Sequence, residues 1–235
     1  NRLCDLHPVG NRVDGALLVS VITPLADQYE AYEKTRCLLE SSGEGGHVIM
    51  RLANDDSLGR ELRIWLQTDK FLKRKNDGTL LQSTVRILAE RGQDNQQRYE
   101  RMVQLLGTMI ASAEVYAAGQ PLKMKSGNAE GVLEEALEYL IQNTFHKMGY
   151  LKRLSPEPLK EIQAVLRSND IAKEQLLFEK GDNNPDALED LRNYVALAGS
   201  QSRQTVLHDL IEKRYSLRPF GWPDEEVLLL LARLI

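Results

Sequence analysis

The chain has 235 residues, of which 42% are hydrophobic and 27% charged, a balance typical of globular proteins and enough for one large domain or two small ones. A formal net charge of −4 argues against nucleic-acid binding by the chain as a whole, because DNA-binding faces need clustered cations, although a local cluster is compatible with that charge. The chain contains no signal peptide and no apolar run near about 20 residues, and its two cysteines form no disulfide framework, so we expect a cytoplasmic protein.

The first part of the sequence predicts a small strand–helix–strand unit. Residues 15–25 form an apolar run that ends at Pro24, and residues 47–52 form a second one. Residues 27–40, between them, are compatible with a helix, and a helical crossover predicts that the two strands pair in parallel. Because two strands cannot bury themselves, we expect further strands upstream, in a part of a longer protein that this chain does not include.

The helix that is predicted to follow the second strand has a basic cluster at its C-terminal end. This cluster consists of Lys70, Lys73, Arg74 and Lys75. The cluster has two interpretations, since cations stabilise a helix C-terminus and can also bind phosphates. Phosphate binding would need Arg86 or Arg91 to add to the same face.

A long helix is predicted over about 80–117. Apolar residues recur there at alternating spacings of four and three, the heptad pattern of helices that pack along one face. At 1.5 Å per residue this helix would be roughly 55 Å long. The pattern suits packing within the chain, and it also suits a homo-oligomer formed through the long helix.

The remaining elements are predicted to be helical apart from a short edge strand near 121–125. The helices are predicted over 129–143, from 155, over 185–199, over about 202–215 and from 223. Gly199 is expected to end its helix in the left-handed conformation. The predicted fold is therefore α+β and mainly α-helical, with residues 1–150 as an α/β piece carrying the long helix and 155–235 as an all-helical module.

The last two helices, joined by a Pro/Gly turn, resemble a helix-turn-helix or the start of a winged helix. The cations that could contact DNA from this pair are Arg203, Lys213, Arg214 and Arg218. Simple packing is the alternative, and the final helix is too apolar to contact base edges. Phe220 and Trp222 either anchor the turn in the core or, if exposed, form a partner site.

No catalytic, cofactor-binding or metal-binding residue is predicted. A P-loop needs a Gly-Lys pair followed by Ser or Thr, and this sequence has no Gly-Lys pair. The four histidines lack metal-ligand spacing, and no Gly-x-Ser-x-Gly elbow occurs.

Five segments, taken in order, resemble one known family. They are Leu17–Asp27, Thr68–Asn76, Tyr116–Gln120, Tyr139–Phe145 and Leu210–Ile235. Together they resemble BrxC/PglY, the large P-loop ATPase family of bacterial BREX (Pgl) phage-defence systems. The resemblance implies an internal fragment without the P-loop, a parent that uses ATP and Mg, and other BREX-type proteins as partners. It implies a non-catalytic scaffold or coupling role, and the alternative is a nucleic-acid-binding helical module that acts through the terminal helix pair and the lysine-rich helix end.

Overall fold

A computed structural model of the chain describes residues 1–11, 17–43, 46–75, 81–167, 184–201 and 206–235. They form two compact units, Asn1–Ile141 and Gln142–Ile235. The strands are β1 (Arg2–Cys4), β2 (His7–Pro8), β3 (Leu18–Ile22), β4 (His47–Arg51), β5 (Glu114–Ala117) and β6 (Gln120–Leu122). The described helices are α1 (Lys34–Ser41), α2 (Asp56–Lys75), α3 (Gln82–Ala111), α4 (Ala129–Thr144), α5 (Pro158–Arg167), α6 (Pro185–Ser200), α7 (Leu207–Leu210), which continues as a π-helix over Ile211–Tyr215, and α8 (Asp224–Leu234). The fold is α+β and mainly helical, as the sequence predicts.

The strands form one six-stranded sheet in the order β2-β1-β3-β4-β5-β6. The predicted strand–helix–strand unit is confirmed, because β3 and β4 pair in parallel with Val19 opposite Val48. The strands beside this pair come from the chain itself, β1 next to β3 and β5 next to β4. The expectation that the flanking strands lie outside this chain is therefore wrong, and the sequence pattern missed β1 and β2 because they are only three and two residues long.

The long helix is shorter than predicted. It ends at Ala111, and the segment 114–117, which the heptad pattern assigned to the helix, is strand β5. Val115 and Tyr116 favour a strand, and the turn that follows uses positive φ at Ala118 (49°) and Gly119 (73°), the conformation of a tight hairpin. This hairpin pairs β5 with β6, so the predicted edge strand near 121–125 exists, shifted to Gln120–Leu122.

The two faces of the sheet are covered by different helices. On one face, Val48 and Met50 pack with Ala136 of α4. On the other face, Ile49 packs with Cys37 of α1. Alternation along β4 sends neighbouring side chains to opposite faces, and both sets are fully buried. Proline occurs in both edge strands, at Pro8 and at Pro121, which limits pairing with another sheet.

Helices α2 and α3 form a hairpin that packs on the end of the sheet where β3 and β4 finish. Arg98 pairs with Glu61 at 2.7 Å, the rings of Trp65 and Tyr99 lie 5.7 Å apart, and the amide of Asn95 donates to the Trp65 carbonyl. The end of the hairpin next to the sheet packs in a hydrophobic cluster of buried side chains. This cluster contains Leu52, Leu58 and Met109. The base of the hairpin is therefore buried.

The second unit consists of helices in the part of the chain that the structure describes, with 168–183 and 202–205 outside it. The predicted left-handed cap at Gly199 is wrong, because α6 continues through Gly199 to Ser200. The helix predicted from about 202 is described from Leu207 onward, and its second half is a π-helix. The final helix begins at Asp224, directly after Pro223, as expected.

Glu226, in the first turn of α8, is buried and links α8 to the start of α5. Its Oε1 accepts a hydrogen bond of 2.5 Å from the backbone N–H of Ser155, and Arg233 of α8 pairs with Glu161 of α5 at 3.0 Å. Burial raises the pKa of the Glu226 carboxyl above its ordinary value of 4.5, while the Ser155 N–H and Arg233 oppose the rise. The folded state therefore binds this proton more tightly than the unfolded state, so the contribution of Glu226 to stability falls as pH rises through that raised pKa.

We expect Glu226→Gln to keep or increase stability at pH 7, by on the order of 1 kcal/mol, because an amide oxygen can still accept from Ser155 without burying a charge. The gain should shrink as pH falls through the raised pKa of Glu226, because protonation of the wild-type carboxyl removes the buried charge. Urea unfolding at several pH values measures the difference in the free energy of unfolding between this variant and the wild type. Glu225→Gln, at the exposed neighbouring position, should show no such gain. A Glu226→Gln variant clearly less stable at pH 7 would contradict this account.

Candidate nucleic-acid interface

The basic end of α2 is exposed to solvent. Lys70, Lys73, Arg74 and Lys75 all lie on its last two turns, beside Phe71, whose exposed fraction is 52%. Lys73 pairs with Asp69 at 2.8 Å. Among the described residues, Lys70, Arg74 and Lys75 form no ion pair. The cations are thus available to an anion, and they also lie where a helix C-terminus favours positive charge.

Arg86 and Arg91 do not add free charge to this cluster. Arg86 pairs with Glu90 at 3.4 Å and Arg91 with Asp94 at 3.6 Å, both within α3. Each guanidinium is therefore partly compensated by a neighbour on its own helix. Phosphate binding was expected to need Arg86 or Arg91 to add positive charge to the face of the basic cluster, and neither residue does so.

The cations of the terminal helix pair are more engaged. Lys213 is exposed and pairs with Asp209 at 2.9 Å. Arg214 lies over the ring of Tyr194 at 4.1 Å, and its guanidinium is 3.6 Å from Asp190. Arg218 is half-buried in the turn, and Arg203 lies outside the described residues. The described members of the set do not form one exposed basic face.

Phe220 and Trp222 are core residues of the second unit, with exposed fractions of 2% and 1%. Both rings pack on Tyr215, Phe220 edge-on at 4.6 Å and Trp222 stacked at 4.8 Å. Trp222 Nε1 donates to the Lys147 carbonyl at 3.1 Å. Gly221 between them has φ 64°, and a Cβ there would lie 2.7 Å from the Phe145 ring. The turn is thus anchored in the core, which leaves no exposed aromatic pair at these two positions.

Asp190 of α6 is the charged centre of the same region. It accepts from Lys147 Nζ at 2.6 Å and from the Tyr215 hydroxyl at 3.2 Å, and it faces Arg214. Burial raises the pKa of the Tyr215 phenol to about 12, so the hydroxyl stays a donor at neutral pH. These contacts join α6, the π-helix and residue 147, which is a structural arrangement.

A cleft of about 450 Å³ lies in the first unit, where β3 ends and α2 begins. Its polar walls are formed by Asp55, Asp56, Arg60 and Arg63. Asp55 caps α2 by accepting from the N–H and hydroxyl of Ser57, and these bonds lower the pKa of Asp55. Sequence analysis did not single out Arg60 and Arg63, although their spacing of three residues on a helix is the signal that places them together.

No group of three or more His, Cys, Asp or Glu side chains that could hold a metal ion occurs among the described residues. His47, for example, bonds to the Ser20 hydroxyl at 2.7 Å, and burial lowers its pKa. Cys37 is buried, whereas Cys4 is exposed.

Comparison with known families covers nearly the whole chain. Residues 1–140 match the model described as the BREX ATP-binding protein BrxC 4th domain with six-stranded beta sheet, and residues 147–235 match the BrxC winged helix-turn-helix domain. The chain belongs to the BrxC family. The resemblance found in its sequence is thereby confirmed, and the six-stranded sheet of this BrxC-family chain agrees with the first description. No solved structure matches the chain. Within the described residues, no helix combines the length and apolar character needed to cross a membrane.

Proposed function

We propose that this chain is a non-catalytic scaffold and coupling part of an ATP-binding BREX protein. The observation that carries the proposal is the α2–α3 hairpin. Its base is buried, whereas the first turns of α3 present apolar side chains to solvent: Leu81, Val85 and Ile87 are 75%, 52% and 57% exposed. Leu81 and Val85 are four residues apart and so share one helix face. Such a surface suits a protein partner, and other proteins of the BREX system are the partners that family membership favours.

This surface gives a direct test by light scattering. We expect the chain, mixed with each other protein of its BREX system, to form a complex with at least one of them or with a second copy through α3. The L81D/V85D variant should lose most of that complex, about tenfold or more in affinity, because it places charge in an apolar contact. Val103→Asp, an equally exposed α3 position farther along, is the matched control. Complexes that are unaffected by L81D/V85D would contradict this use of the hairpin.

ATP hydrolysis by the chain alone would contradict the non-catalytic role. In this proposal the ATP and Mg site belongs to another part of the parent protein, and the location is the bacterial cytoplasm. The chain would pass changes at that site to its partners through packed elements such as the hairpin.

A second candidate function is nucleic-acid binding. It is favoured by the uncompensated cations at the end of α2 and by the winged helix-turn-helix family to which residues 147–235 belong. Of the two proposed contact sets, we favour the α2 set, because Lys213 and Arg214 are already held by acidic or aromatic neighbours.

A further inference from the structure

Four cations form a row along the solvent face of α2. They are Arg60, Arg63, Lys70 and Arg74, all of them exposed. The intervals of three, seven and four residues keep them on one side of a helix with 3.6 residues per turn. The same face also carries the exposed Gln67. At 1.5 Å per residue this basic row extends over about 21 Å, from the cleft at the start of α2 to its basic end.

None of the four cations of the basic row forms an ion pair among the described residues, which is also true of other exposed helical cations such as Arg101 and Arg192. What distinguishes the row is that its four cations share one helix face. Elsewhere, pairs at three or four residues are common: Arg36–Glu40, Lys73–Asp69, Arg86–Glu90, Arg91–Asp94, Lys160–Glu157 and Lys213–Asp209.

The acidic residues of α2 form no ion pair with the row, although the carboxylate of Asp55, just before the helix, interacts electrostatically with Arg60. Glu61 and Asp69 lie on other faces, where they pair with Arg98 and Lys73. Asp56 lies one turn before Arg60, at the helix N-terminus, and makes no ion pair with it. Like charges three or four residues apart destabilise a helix, so the row is unfavourable for folding by itself.

We propose that the basic row binds the phosphate backbone of nucleic acid without regard to base sequence. The inference rests on the second candidate function above and gives it a site. Spaced cations gain affinity by releasing counterions from a polyanion, and 21 Å corresponds to about six base-pair steps at 3.4 Å each. The row itself consists of four cations and Gln67, and the exposed side chains of Leu66 and Phe71 flank it. Phosphate contacts of this kind position a protein without specifying sequence.

The test is fluorescence anisotropy of a labelled 20-base-pair duplex of mixed sequence, titrated with the 235-residue chain at several salt concentrations. The variant R60Q/R63Q/K70Q/R74Q should bind at least about tenfold more weakly at 50 mM salt, and the slope of log affinity against log salt should fall by about 3 to 4. Glutamine suits exposed helix positions, so the fold should persist, as circular dichroism can verify. R60K/R63K/R74K keeps the charges and should bind within about twofold of the wild type.

The matched control is R86Q/R91Q/K152Q/K160Q, which removes the same charge from four exposed cations that have acidic partners. It should bind within about twofold of the wild type. An equal loss in this control would show an effect of net charge and overturn the basic row as a site.

Duplex binding that stays at the wild-type level in R60Q/R63Q/K70Q/R74Q would also overturn the row, while nucleic-acid binding by the chain would stand. If the wild type does not bind the duplex at low salt, both the basic row as a site and nucleic-acid binding by the chain are contradicted. Displacement of the duplex by poly-glutamate at equal charge would overturn the nucleic-acid assignment in favour of an acidic protein.

Discussion

Trp222→Ala is expected to destabilise the second unit by about 3–5 kcal/mol. The indole is 1% exposed and stacks on Tyr215 with an angle of 10° between the rings. Phe220 packs on it edge-on at 4.9 Å. Alanine would leave a cavity between these two rings, and it would remove the donor to the Lys147 carbonyl. Because this cluster connects the turn to the helices on both sides, the loss should reach all of 142–235.

Guanidinium unfolding followed by circular dichroism measures this cost. Trp222→Phe keeps an aromatic ring but loses the N–H, so about 1–3 kcal/mol is expected. Leu217→Ala, in the same turn but 53% exposed, should stay within about 0.5 kcal/mol of the wild type. A cost below about 1 kcal/mol for Trp222→Ala would show that the turn is not anchored in the core.

Asp190→Ala is expected to cost about 2–4 kcal/mol, the second large effect. Only 14% of the Asp190 side chain is exposed, and it faces Lys147, Arg214 and the Tyr215 hydroxyl together. Removing the carboxylate would leave two half-buried cations without their shared partner. The Tyr215 hydroxyl would also lose its acceptor.

A neighbouring ion pair supplies the control for Asp190→Ala. Asp186, on the same helix α6, pairs with Lys152 at 3.2 Å, and both side chains are 50% exposed. Water screens that pair, so Asp186→Ala should cost less than about 1 kcal/mol. Asp190→Asn keeps one acceptor without the charge and should fall between the two. Equal effects of Asp186→Ala and Asp190→Ala would mean that the Asp190 contacts add nothing to an ordinary surface pair.

Sequence analysis found the cations of the candidate site by residue type but could not rank them. The sequence shows Lys70 and Arg214 only as two basic residues. In the structure Lys70 is exposed without an ion pair, whereas Arg214 lies over Tyr194 and beside Asp190. The partners of Arg214 are about 20 residues away along the chain, so no local pattern indicates them. Arg60 and Arg63 were missed for a different reason: they are ordinary residues of an amphipathic helix until the fold shows that neither forms an ion pair with a described residue and that both line one cleft.

The sequence by itself determined the elements that depend on local periodicity and on turn chemistry. Parallel pairing of β3 and β4, the helices α2 and α4, and the start of α8 after Pro223 all follow from hydrophobic patterning and proline placement. Ordered segments of the chain also carried the resemblance to the BrxC family, which the family models confirm.

Only the tertiary structure decided the extent of the sheet and the availability of charges. Tyr116 fits the heptad pattern of a helix, and its segment becomes a strand because β4 lies beside it and pairs with it, Ile49 opposite Tyr116 and Met50 opposite Val115. Likewise, a cation is free or neutralised according to which carboxylate the fold brings within about 4 Å of it. Both outcomes depend on contacts between residues far apart in the chain, and such contacts leave no periodic signal in a single sequence.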